Sequence, residues 1–329
     1  MTQIDAVPRM AVFRDRLQAL GYRTLEQVTA TALVEPDLLA QFLGVTTPEL
    51  RTALGGLMTQ RAAVAPRRRY PLGVRLDRIP RPRRSLMRAP GLVANLPPTQ
   101  NLVAEMQPIR DQQQRGTCVA HASGAAAEHY WRLQGKIVDL SRQYLYWSCK
   151  QHDGDPNGEG TWVAVAMSRL TADGCCREDT WPYVGTPIPN NESQDPPPAA
   201  AIAEAPEFKV PVTQQIASTS VLDIKAALAA GHCVAFSIPV FNSWYQNDEV
   251  IRTGDLVNPL PNEPDVGGHA MCLVGYEDLP AETALGGGHF YLRNSWGTQW
   301  AAQSTLGPGY GTIPYSYIAA NCTEAFSIG

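Results

Sequence analysis

The order of elements along this 329-residue sequence predicts an α+β fold. Three observations carry that prediction. Helical patterns occupy the chain up to about residue 230, strand patterns follow, and no internal repeat imposes another architecture. Hydrophobic residues make up 44% and charged residues 18%, which excludes wholesale disorder and leaves ample material for a core. No run of about 18 apolar residues is present, so no membrane span is expected.

The first 60 residues read as a small helical unit. Thr24 and Gln27 form a capping box ahead of Leu25–Leu33. Thr47, followed by Pro48, reads as the cap of a helix running to about Leu54. Gly21, Gly44 and Gly55–Gly56 sit where helices stop. Arg67–Arg88 is of another kind. It holds nine arginines and one acid, Asp77, and Pro66, Pro71, Pro80, Pro82 and Pro90 are spread in and around it. Proline at that density prevents a helix and favours an extended strap.

Beyond residue 100, Cys118–Leu133 is expected as a helix, with Thr161–Thr171 and Ser220–Ala230 as the next two. Cys233–Ile238, Ala270–Tyr276, His289–Arg293 and Gly311–Ile318 read as strands.

The net charge of −4 conceals an asymmetry. Residues 1–90 carry 15 Lys+Arg and 7 Asp+Glu, or +8, whereas residues 91–329 carry −12. A basic N-terminal third is joined to an acidic body, so the strap is expected to dock on that body. Nothing beyond charge supplies a nucleic-acid signature, and nucleic acid is not expected as a partner. Met1–Thr24 has no apolar core of secretory length. The seven cysteines are odd in number, irregular in spacing and without a C-x-x-C pair, which argues against a disulfide framework and a zinc site. A cytoplasmic location is the expectation, with non-classical export left open. No metal or cofactor is expected.

Cys118 is the cysteine placed for nucleophilic work. It follows Gly116–Thr117 at the first turn of its helix, where the partial positive charge favours thiolate. Gln112 lies six residues upstream, His269 follows Gly267–Gly268, and Asn294 opens Asn294-Ser295-Trp296-Gly297 with Trp300 just beyond. Cys118 and His269 are 151 residues apart, and His269 and Asn294 are 25 apart. In order, spacing and local context these elements resemble the papain family of cysteine peptidases, with a closing segment like that of its bacterial members. The resemblance covers about residues 95–320. His121, His129, His152, His232 and His289 have no such context and read as structural.

The resemblance implies a two-lobe fold, with a helical left lobe and an antiparallel, β-barrel-like right lobe. It divides the chain into a helical region (1–62), an Arg/Pro-rich linker or strap (63–92) and a peptidase domain (93–329). Cys118 would attack a peptide carbonyl as thiolate, with His269 as its imidazolium partner. Asn294 would hold the ring, and Gln112 would donate to the oxyanion. Gly160, Thr161 and Gly268 would meet the substrate backbone, and Trp296 would shield the Asn–His bond. The implied reaction is endopeptidase hydrolysis of peptide or protein substrates through an acyl-enzyme. An amidase or transpeptidase using the same pair, and a catalytically weak peptide-binding protein, remain as alternatives.

Four positions depart from the family pattern. Arg115 stands where a disulfide cysteine is usual, Val119 and His121 replace aromatics, and Ala301 replaces a glycine. None of these removes a catalytic group, but together they leave subsite preference open. Residues 1–90 lack the long helical propeptide pattern of secreted relatives and are expected to be a regulatory region.

Overall fold

The computed structural model describes residues 2–61, 69–77, 96–279 and 287–329. Of the Arg67–Arg88 strap, residues 69–77 are described. Arg67, Arg68 and residues 78–88 lie outside the described residues, as do the expected boundaries at 62–63 and 92–93.

The N-terminal region folds as short helices, chiefly α1 (Leu25–Val34), α2 (Pro36–Leu43) and α3 (Thr47–Leu54). The capping box at Thr24 and Gln27 closes reciprocally. At α3 the cap is Thr46 rather than Thr47. Glu49 sits three residues after Thr46, so its carboxylate can bond back to the Thr46 N–H and complete a second box.

The centre of the molecule is α4 (Cys118–Leu133), whose residues from Cys118 to His129 are all buried. Its small side chains let α5 (Arg142–Lys150) and α6 (Val163–Ala172) pack on one side and the sheet on the other. Gly124 is required because the Arg142 guanidinium lies directly on it: a Cβ there would be 2.8 Å from Nε. Arg142 is thereby held against Glu128 in a buried, bidentate pair at 2.6 and 2.8 Å. Helix α6 begins two residues later than expected, since Thr161 and Trp162 are extended and Thr161 uses its backbone to pair with the strap.

The second lobe is a seven-stranded antiparallel sheet: β1 (Thr99–Asn101), β2 (Thr213–Gln215), β3 (Val234–Phe241), β4 (Asp265–Asp278), β5 (Gly288–Arg293), β6 (Tyr310–Pro314) and β7 (Glu324–Ile328). Its order is β2-β7-β3-β4-β5-β6, with β1 on β4. Helix α7 (Val221–Ala229) leads into β3, capped by Ser220. The expected strand over Gly311–Ile318 ends at Pro314, and a helix, α8 (Tyr315–Asn321), takes over. Proline has no N–H for the ladder and is well suited to the residue before a helix. Strand β4 is longer than expected and has His269 within it rather than at its head. No helix among the described residues is long and apolar enough to cross a membrane.

Arg115 explains one departure from the family pattern. Fully buried, it donates from Nη1 to Gln143 Oε1 (2.7 Å) and the Val184 carbonyl (3.0 Å), and from Nη2 to the Glu192 carbonyl (2.5 Å). Its guanidinium also faces the rings of Tyr146 and Tyr183. A charged hub therefore ties together the loops around the start of α4, at the position where the resemblance led a disulfide cysteine to be expected. All seven cysteines are buried free thiols.

Candidate active site

The two lobes meet along a cleft. Cys118 is the first residue of α4 on one wall. On the other, β5 pairs Arg293 with Cys272 of β4, which brings Asn294, one residue past the strand, beside the stretch carrying His269. His269 Nε2 lies 2.8 Å from Asn294 Oδ1. That oxygen only accepts, so Nε2 carries the proton and Nδ1 keeps its lone pair. The Ser295 N–H also donates to Asn294 Oδ1, at 2.8 Å, which fixes the amide's orientation. His269 Nδ1 has no hydrogen-bond partner among the described residues.

Gln112 crosses between the walls. Ser295 Oγ donates to its Oε1 at 2.6 Å, and the Gln112 N–H donates to the Ser295 carbonyl at 2.8 Å. This turns Gln112 Nε2 toward the cleft. Ser295 was not singled out by sequence, although it lies inside the Asn-Ser-Trp-Gly stretch. Glu159 was also missed: its Oε1 accepts from the Gly116 N–H at 2.7 Å and props the loop that leads into Cys118.

Trp296 is buried and stacks on the His269 ring, with centroids 4.4 Å apart and planes at 27°. Tyr70 also stacks on the Trp296 ring, at 4.4 Å and 13°. Tyr70 belongs to the strap, and the residues after it run through the cleft. The Pro71 carbonyl accepts from Gln112 Nε2 at 3.2 Å. The N–H groups of Gly73 and Val74 donate to the Gly268 carbonyl at 3.2 and 3.0 Å. Thr161 donates to the Gly73 carbonyl and accepts from the Arg75 N–H, both at 3.1 Å. Val74 is thus bridged in parallel to Thr161 and antiparallel to Gly268, one residue from each lobe.

Gly160 makes no backbone bond to the strap in this ladder. Its N–H donates to Tyr146 Oη and its carbonyl accepts from Lys150 Nζ, both at 2.9 Å, and it has φ +83°. What it contributes is clearance, because a Cβ there would be 2.8 Å from the Gly73 carbonyl oxygen.

Burial sets the electrostatics. It pushes the Cys118 thiol up to about 12, although the N–H groups of Ala270, Gly73 and Val119 pull the other way. Burial also lowers His269 to about 4 against the opposing bond to Asn294. Both groups are therefore neutral in the covered cleft.

The family model described as papain family cysteine protease matches residues 98–313. An uncharacterized peptidase C1-like protein of Acanthamoeba polyphaga mimivirus is 28% identical over 220 residues, covering 64% of this chain and 65% of that protein. Gallus gallus cathepsin K is 29% identical over 195 residues, covering 59% and 52%. The chain thus spans less than two thirds of the length of these curated relatives. Among solved structures, xylellain, a cysteine protease from Xylella fastidiosa, superposes with a TM-score of 0.65 at 26% identity, over 81% of this chain and 98% of its own. A Carica candamarcensis cysteine protease solved with E-64 shares the fold at 19% identity and a TM-score of 0.51, over 70% and 97%. With the family match covering well over half its length, the chain belongs to the papain family of cysteine proteases.

Proposed function

We propose that this protein is a cysteine endopeptidase whose residues 69–77 hold it latent. The observation that carries this reading is one array: His269 is bonded to Asn294, Gln112 is bonded to Ser295 and to the Pro71 carbonyl, and the Cys118 sulfur faces the N–H groups of Ala270 and Gly73. In an open cleft, Cys118 gives its proton to His269 Nδ1, and the thiolate attacks the scissile carbonyl carbon. The developing oxyanion takes hydrogen bonds from Gln112 Nε2 and the Cys118 N–H. The imidazolium then protonates the leaving amine, and water hydrolyses the thioester. Asn294 keeps the ring in the tautomer this requires, and Trp296 excludes water from their bond.

The strap lies in the same groove without being a substrate. The group it turns to the sulfur is the N–H of Gly73, which a nucleophile does not attack. An extended peptide would use the same carbonyl and N–H groups of Gly268 and Thr161. The Gln112–Ser295 bond and the complete Asn294–His269 pair favour peptide hydrolysis over a binding role alone. The free thiols support a reducing, cytoplasmic setting.

The test is intact-mass analysis of wild type and Cys118→Ala after exposure to an epoxide-type thiol-peptidase inhibitor, with turnover of a peptide library alongside. Wild type should gain one adduct and cleave peptides, and Cys118→Ala should do neither. A folded wild type that does neither would return the protein to the binding class.

A further inference from the structure

The strap contributes one side chain that the cleft receives in a built pocket. Arg75 lies over the Trp162 ring with its guanidinium carbon 4.6 Å from the centroid, and its Nη1 is 3.0 Å from Asp155 Oδ2. The Arg75 backbone N–H is meanwhile bonded to the Thr161 carbonyl, so the side chain is presented from a paired, extended backbone. Its other ion pair, to Asp77 at 3.2 Å, is within the strap and leaves with it. Trp162 and Asp155 stay with the enzyme. Trp162 is buried, and Asp155 sits on a loop that also carries Glu159 toward Gly116 and Cys118. A third acid on that loop, Asp153, is already committed to Lys150 at 2.6 Å.

We infer that Trp162 and Asp155 form a substrate subsite for a basic side chain, arginine above lysine, and that Arg75 is its internal occupant. This rests on the peptidase reading of the site. An aromatic face and a carboxylate on one side of a backbone-pairing groove suit a planar cation, which stacks and bonds at once. Gly73 is the strap residue at the sulfur and Arg75 is two further on, so the favoured residue stands two or three positions from the scissile bond. The −12 charge of residues 91–329 agrees with a preference for basic peptides, and it adds attraction at low salt.

The experiment uses the full chain and two peptidyl vinyl sulfones that differ only at that position, one with arginine and one with leucine. The rate of covalent addition to Cys118 is followed by intact mass. Each reagent must wait for the same displacement of the strap, so the ratio of the two rates reports the subsite alone. Arginine should react about 5- to 30-fold faster, the range expected for one partly desolvated cation–π contact with an ion pair. In Asp155→Asn the ratio should fall below about threefold, while the leucine reagent reacts faster than in wild type because Arg75 holds less firmly. A ratio near one in wild type, or a ratio unmoved by Asp155→Asn, overturns the subsite and leaves the peptidase reading intact. Addition of neither reagent to a native protein whose Cys118 is a free thiol on denaturation defeats the peptidase reading, and the subsite with it.

Discussion

The N-terminal helices and the strap both rest on the body of this protein, but by opposite means. The helices use side chains. Asn247 Nδ2 donates to Thr31 Oγ1 at 2.9 Å and to the Gln27 carbonyl at 3.3 Å, and Asn242 Nδ2 reaches Glu35 Oε1 at 2.9 Å. Residues 71–75 use mainly backbone, around a glycine. Particular side chains make an interface no other segment can take over. A backbone ladder can be taken over by any extended peptide. On the function proposed above, the anchor would be lasting and the plug competitive, with its advantage over substrate supplied by tethering at high effective concentration.

The largest effect should come from Gly73. A Cβ on it would lie 1.9 Å from the Gly116 carbonyl oxygen and 2.7 Å from its Cα, both backbone atoms that cannot step aside. Overpacking of this kind typically costs about 1–3 kcal/mol. Gly73→Ala should therefore raise turnover of a fluorogenic peptide about 10- to 100-fold at unchanged melting temperature. Equal turnover in the two proteins would mean that the strap does not limit access to Cys118.

Acid should open the plug by about fivefold between pH 6.5 and 5.5. His269 is held near 4 chiefly by burial, whereas an uncovered histidine titrates near 6.5. A depressed histidine stabilises the covered form above 6.5, and that stability is lost as pH falls from 6.5 toward 4, at most tenfold per unit. The anchor has a counterpart in His289, also lowered to about 4 by burial and then by Arg23. Arg23 Nη2 lies 3.4 Å from its Nδ1, Glu277 Oε2 is 3.5 Å from Nε2, and Tyr291 flanks the ring. Hydrogen exchange at residues 69–77 separates the first effect from the second, which should appear at residues 23–34. No acid response at 69–77 would show that the cleft's charge state and its cover are uncoupled.

The chemistry at this site was more legible in the sequence than its covering. Cys118, His269 and Asn294 announce themselves because the proposed chemistry dictates residue type, order and neighbours. Helix α4 was equally plain, since its alanines and other apolar residues recur at helical spacing. The run of Pro71 to Val74 gives none: a ladder of N–H and carbonyl groups is available to almost any residue, and its partners at 161 and 268 are distant in sequence. The nearest clue was Gly73, the single glycine among residues 67–88. Tyr70 on Trp296 and Ser295 on Gln112 were hidden for the same reason, being contacts between segments that only the fold brings together. The Arg115 hub was read as the loss of a disulfide, because a sequence shows which residue is missing more readily than what replaces its work.

The smallest effect should come from loosening the anchor alone. Thr31 Oγ1 accepts from Asn247 Nδ2 and from Tyr22 Oη at 3.0 Å, in a fully buried position. Thr31→Val keeps the shape and takes the acceptor from the buried Tyr22 hydroxyl, whereas Asn247 Nδ2 keeps the carbonyls of Gln27 and Ser243, a loss of about 1–3 kcal/mol. For a chain of this size the melting temperature should fall by about 2–8 °C. Turnover should rise less than about threefold, because the plug keeps every backbone bond and loses only part of its tethering. Each departure is informative. An unchanged melting temperature would mean that these buried polar contacts do not hold the helices. A rise as large as that of Gly73→Ala would join anchor and plug into one cooperative unit, and the distinction between a side-chain interface and a backbone one would fail here.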